Sequence, residues 1–119
     1  MVFEIENYSA LKNAVDELCL FLETQRVSAE RVFDSRLVMF ELLGNVLRHS
    51  EGSARLSGCL RDGLVEISIH ASVPFEPPAC SRCPDTGAES GRGLFLVDSV
   101  CVERRFTADG GIIVKLKTE

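Results

Sequence analysis

The sequence predicts an α+β domain, a two-layer sandwich with helices on one face of a mainly antiparallel sheet, on the strength of three observations. Two long stretches in the first half, 10–25 and 28–49, carry apolar residues at helical spacing. The second half alternates apolar and polar residues in short runs, the mark of strands with one buried face. Turn chemistry at Arg61-Asp62-Gly63 and Asp109-Gly110-Gly111 joins those runs tightly, which favours hairpins.

Each element follows in chain order. Phe3 and Ile5 alternate with Glu4 and Glu6, predicting a first strand within Val2 to Tyr8. Ser9 offers a helix N-cap, and from Ala10 to Gln25 the residues Leu11, Val15, Leu18 and Leu22 keep helical spacing while Lys12, Asp16, Glu17 and Glu23 fall mostly on the other side. Ser28 is a second cap for a helix running to about His49, with Val32, Val38, Met39, Leu42, Leu43, Val46 and Leu47 as its apolar set and Gly52 closing it. Ala54, Leu56 and Leu60 then alternate with Arg55, Ser57 and Cys59, and Val65, Ile67 and Ile69 with Glu66, Ser68 and His70, which reads as a hairpin. Residues 72–90 hold all four prolines and show no sustained period, so they read as a lid. Gly91 to about Val100 reads as a short helix and Val102 to Thr107 as a strand, with Arg104-Arg105 on a solvated edge. A last strand has Ile112, Val114 and Leu116 on its inner face. The order is β-α-α-β-β-lid-α-β-β.

With 119 residues, 45% hydrophobic and 26% charged, residues 1–119 are expected to form one domain with its own core. The longest nearly apolar segment, Leu37 to Leu47, is interrupted by Glu41 and Asn45, and Met1-Val2-Phe3-Glu4 lacks a secretory pattern, so a cytoplasmic protein without membrane spans is expected. A net charge of −5 with scattered basic residues argues against direct nucleic-acid binding. Five cysteines without framework spacing read as free thiols. Cys80-Ser81-Arg82-Cys83 has no second closely spaced pair to complete a zinc site, and inert thiols are its ordinary reading.

Two stretches carry candidate chemistry. Glu41, Asn45 and His49 recur every four residues, so a helix sets a carboxylate, an amide and an imidazole along one stripe, beside Arg48. The same arc holds Glu30, Arg31 and Asp34, and an ordinary solvated helix face is the plain alternative. In Ser90-Gly91-Arg92-Gly93-Leu94-Phe95-Leu96-Val97, two glycines flank an arginine before an apolar run, which crowds backbone N–H groups at a helix start and suits a phosphate. A base, a metal ligand and an anion cradle are the parts of phosphoryl transfer.

In that order, these motifs resemble the bacterial anti-sigma factor serine/threonine kinases, members of the histidine kinase-like (GHKL) ATPase superfamily. The resemblance covers nearly the whole chain. Glu41-x-x-x-Asn45-x-x-x-His49 is similar to the family's N box, and Gly91-Arg92-Gly93-Leu94-Phe95-Leu96-Val97-Asp98-Ser99-Val100 to its second glycine box. It implies a Bergerat-type ATPase fold that binds ATP and Mg²⁺. Asn45 would coordinate the Mg²⁺, and Glu41 would be the general base taking a proton from a substrate serine or from water. Gly91, Arg92, Gly93 and Leu94 would meet the phosphates, with Arg48 and His49 lining the pocket. The implied partners are a sigma factor or an anti-anti-sigma protein, and a second copy in a homodimer.

The resemblance breaks at the adenine site, where the family has an aspartate two residues before a glycine. The landmark Phe75-Glu76-Pro77 places His70 at the aspartate and Ser72 at the glycine, while Asp85-Thr86-Gly87 falls within the lid. A neutral histidine accepts one hydrogen bond without offering a negative charge. An unpaired buried amino group costs about 1–3 kcal/mol, a loss of roughly ten- to a hundredfold in affinity. Two readings stay open: a regulatory kinase binding Mg-ATP, and a non-catalytic protein-interaction module that retains the ATPase fold.

Overall fold

A computed structural model describes residues 1–49, 53–71, 97–108 and 110–119, apart from the side chains of Arg48 and His49. The chain is α+β, with strand β1 (Val2–Ile5), helices α1 (Tyr8–Thr24) and α2 (Ala29–His49), then strands β2 (Ala54–Arg61), β3 (Leu64–Ala71), β4 (Glu103–Phe106) and β5 (Gly111–Lys117). Residues 97–100 are also helical. All strand pairs are antiparallel, in the order β1-β2-β3-β5-β4.

Helix α1 starts two residues earlier than the sequence reading has it. Asn7, in place of Ser9, is the cap, its side-chain oxygen accepting from the Ala10 N–H at 2.8 Å. The helix ends in a reversal with the Val27 N–H donating to Leu22 O at 3.1 Å and the Arg26 N–H to Glu23 O at 3.0 Å. Arg26 there takes φ 67°, a left-handed conformation usually given to glycine, and buried Leu22 and Val27 close the turn beneath it. Ser28 caps α2 as expected, its hydroxyl accepting from the Arg31 N–H at 3.3 Å. The Ser28 N–H in turn donates to Thr118 O at 2.8 Å, tying the helix bend to the residue beyond β5.

The β2–β3 hairpin turns on Asp62 and Gly63, both at positive φ (54° and 77°), the pairing a two-residue turn needs to match strand twist. Arg61 therefore faces Leu64 and Leu56 faces Ile69. Counting in twos from that register fixes the sides of the sheet. Ile5, Leu56, Val65, Ile67, Ile69, Ile112, Val114 and Leu116 are all buried, and α1 and α2 bury Leu11, Leu18, Leu22, Met39, Leu42 and Leu43 in the same cluster. Each such side chain contributes about 1.5–3 kcal/mol relative to exposure. The opposite side of the sheet carries Glu4, Arg55, Glu66, Ser68, His70, Lys115 and Arg105. Gly58 lies on the helix side, where an added Cβ would come within 2.6 Å of Leu18 Cδ2, so α1 sits down closely on β2.

Candidate functional site

Glu41 and Asn45 stand one turn apart on α2, both half-buried, as the four-residue spacing requires. They lie on a flank of the helix between its buried side and its outermost line. Glu30 at its start is exposed, as a solvated face would have it, while Arg31 and Asp34 are partly covered. Arg31 Nη1 pairs with Asp34 Oδ2 at 3.1 Å, and the two side chains are only 26% and 14% exposed. The segment after residue 96 accounts for part of the cover, since Val97 is fully buried in the core. The Cys101 thiol is pushed up to about 12, first by burial and then by the charges of Asp98 and Asp34, so this segment passes close to the first half of the flank.

Arg104 belongs to this region and corrects the expectation of a solvated Arg104-Arg105 pair. Strand β4 is indeed an edge, but adjacent residues of a strand face opposite sides. Arg104, opposite buried Val114, turns toward the helices, while Arg105, opposite Ile113, turns outward. Arg104 donates to both carboxylate oxygens of Asp98, at 2.7 and 3.2 Å, and its guanidinium lies 5.5 Å from the Phe106 ring centre. Among the described residues Arg104 Nη1 and Arg31 Nε are buried with no hydrogen-bond partner.

His70 requires the larger correction. Val65, Ile67 and Ile69 face the helices, so His70 is on the other side of the sheet, opposite Arg55 and Gly111. Its imidazole lies over the Gly111 α-carbon, where an added Cβ would meet His70 Cδ2 at 2.5 Å. That ring has no access to a pocket between sheet and helices, and its place at an adenine site is withdrawn. The next residue on the helix side is Ala71, which pairs with buried Ala54 and packs against the core. Alignment on Phe75-Glu76-Pro77 is thus one residue out of phase with the strand. Counting in twos from Ile69 finds Ala71 directly.

Connectivity places Ala71 and the Glu41–Asn45 flank at one end of the molecule. Helix α2 ends at His49, β2 begins at Ala54, and Ala54 pairs with Ala71. The end of α2 that carries Asn45 and the end of β3 that carries Ala71 are thus at the same end of the fold. An amide oxygen such as that of Asn45 is of the kind that would hold a Mg²⁺ ion. The adenine part of the implied cofactor does not fit, because the methyl group of Ala71 accepts no hydrogen bond from the amino group. Among the described residues no group of three or more His, Cys, Asp and Glu could hold a metal ion by itself. The backbone of Arg48 and His49 completes the last turn of α2, and their side chains lie outside the described residues. Ser72, the 72–90 lid with Cys80 and Cys83, and Gly91, Arg92, Gly93 and Leu94 lie outside them as well. Among the described helices, none is long and apolar enough to cross a membrane. Neither a family model nor a curated protein matches the sequence.

Proposed function

We propose that the chain is a regulatory domain of the anti-sigma-factor kind on a Bergerat-type ATPase fold, a two-layer sandwich that acts by holding a protein partner and grips nucleotide only weakly. The partner in this reading is a sigma factor or an anti-anti-sigma protein, the setting is the cytoplasm, and the domain works as a homodimer. Support comes from the element order, from two helices packed on the side of an antiparallel sheet that holds Ile67 and Val114, and from Glu41 and Asn45 on a covered flank. The observation that carries the weak grip is Ala71, the helix-facing residue at the end of β3 where the family keeps its adenine-accepting carboxylate. Loss of that acceptor lowers affinity roughly ten- to a hundredfold, which leaves the fold and the protein surface to do the work.

A second reading, an active serine/threonine kinase, is favoured by the half-buried position of Glu41. A carboxylate one turn from the amide is placed to take a proton from a substrate hydroxyl. Calorimetric titration with Mg-ATP of the native chain, Ala71→Asp, His70→Asp and Asn45→Ala separates the two. Weak native binding that strengthens about tenfold or more in Ala71→Asp, but not in His70→Asp, is the expected result. Micromolar binding by the native chain, lost in Asn45→Ala, would instead establish the nucleotide-binding reading. Transfer from labelled ATP to a candidate antagonist protein that vanishes in Glu41→Gln would then make it a kinase.

A further inference from the structure

The outermost line of α2, directly opposite its buried side, is apolar. Phe33, Leu37, Phe40 and Gly44 follow at steps of four, three and four residues, so they form one stripe about 16 Å long. Phe33 is 63% exposed and Phe40 37%. Leu37 and Gly44 are half-buried, so the exposed part of the line is its two phenylalanines; scattered apolar residues on a surface are ordinary, but two aligned phenylalanines on one helix face are not. The line continues onto α1. Arg36 Nη1 meets Asp16 Oδ1 at 2.8 Å across the helix hairpin, and Leu20, 62% exposed, lies one turn nearer the bend on α1, as Phe33 does on α2.

Gly44 supplies a second, independent observation. A glycine within a helix weakens it relative to alanine, so its presence ordinarily reflects a neighbour that leaves no room for a side chain. Among the described residues there is no such neighbour, because a Cβ at Gly44 would meet none of their atoms within 4 Å outside its own helix backbone. No described residue fills that space, at the end of an apolar stripe. Close approach by the backbone of another helix uses a glycine in this way.

The charges around the stripe select the occupant. Among the described residues of the two helices, Lys12 and Arg36 both pair with Asp16, and Arg31 pairs with Asp34. Glu23, near Arg36, and Glu30, one turn from Phe33, make no ion pair among the described residues, so the unpaired charge on the helices beside the stripe is negative. We infer that the Phe33–Leu37–Phe40–Gly44 line is a docking site for an amphipathic helix with basic flanks, carried by a partner protein, which crosses α2 closely at Gly44. A second copy would bring the same surplus of carboxylates, and anionic lipid headgroups would be repelled likewise. This inference names the partner-holding surface of the proposed function but does not depend on the nucleotide site, which lies on another flank of α2.

The test uses the isotope-labelled full chain and two synthetic amphipathic peptides with one leucine face, flanked by lysines in one and by glutamates in the other. The lysine peptide is expected to shift the amide resonances of Phe33, Leu37, Phe40 and Gly44 and to bind about tenfold or more tightly than its glutamate twin. Gly44→Leu is expected to weaken binding about tenfold or more. Gly44→Ala is expected to raise Tm by about 4 °C, because the helix gains where the fold has room. Equal binding of the two peptides, resonance shifts confined to other elements, or unchanged binding in Gly44→Leu would overturn the inference. So would a sedimenting dimer that Phe33→Ser dissolves, since that assigns the line to a second copy. The Mg-ATP titration reports on Ala71 and Asn45 whichever way this experiment falls.

Discussion

Two lines along α2, seen side by side, reverse what their composition suggests. Asp34, Glu41 and Asn45 are polar yet partly covered, while Phe33 and Phe40 are apolar yet open to solvent. Core packing explains neither, because Met39, Leu42, Leu43 and Val46 already occupy the buried side between them. A helix that keeps three differently used sides is doing more than closing a core. Its covered polar flank is suited to a small ligand or an internal ion-pair network, and its open apolar line to another protein chain.

Stability measurements can break or sharpen this contrast. The largest expected effect is on the buried side, where Leu42→Ala should cost about 2–5 kcal/mol in urea unfolding. Phe33→Ser, on the open line, should cost under about 0.5 kcal/mol, as a surface substitution does. Equal costs at the two positions would mean that Phe33 packs within the chain. An intermediate effect is expected on the flank. Asp34→Ala strands the mostly buried Arg31 guanidinium and should cost about 1–3 kcal/mol, a loss that Arg31→Met in the same chain should largely remove. Additive costs in the double variant would show that the pair is not coupled.

A pH dependence is expected at the same flank. The folded state holds the proton of Cys101 up to about 12, against an ordinary value of 9.0. Between those values the native chain binds more protons than the unfolded one, so this contribution to stability is complete below 9.0 and disappears as pH rises toward 12. The alkaline limb of a stability profile should therefore be shallower in Cys101→Ala than in the native chain. An identical limb would place the thiol in open water and remove the cover that residues 97–101 give to Asp34.

The parts of the fold legible in sequence were those where periodicity and turn chemistry agree. The Asp62-Gly63 turn fixes a register, and the register puts Ile67, Ile69, Ile112, Val114 and Leu116 on one side, as their alternation requires. The first helix cap was less legible because Asn7 and Ser9 both carry a suitable oxygen ahead of Leu11, and only the Asn7 side chain reaches the Ala10 N–H. Arg104 and His70 were misread for a shared reason. Each was placed by a neighbour in sequence, an adjacent arginine or a downstream Phe-Glu-Pro, although the two-residue period of the strand already decided which way it points. For the candidate site, the pairing of Glu41 with Asn45 could be read from spacing alone. The cover at Asp34 on the same flank could not, because Cys101 comes near it from far along the chain. Gly44 falls between these cases: the letter is visible in the sequence, but only the structure shows that no described residue needs it.

The sheet order β1-β2-β3-β5-β4 also sets a timetable for assembly. Strand β5 is translated after β4 but lies between β4 and β3, so β4 cannot join the sheet until β5 has left the ribosome and docked. Until then the edge of β3 stays bare, and it carries the longest run of alternating isoleucines and valine in the fold. A nascent chain stalled before Gly111 would consequently be the species most exposed to chaperones and to aggregation.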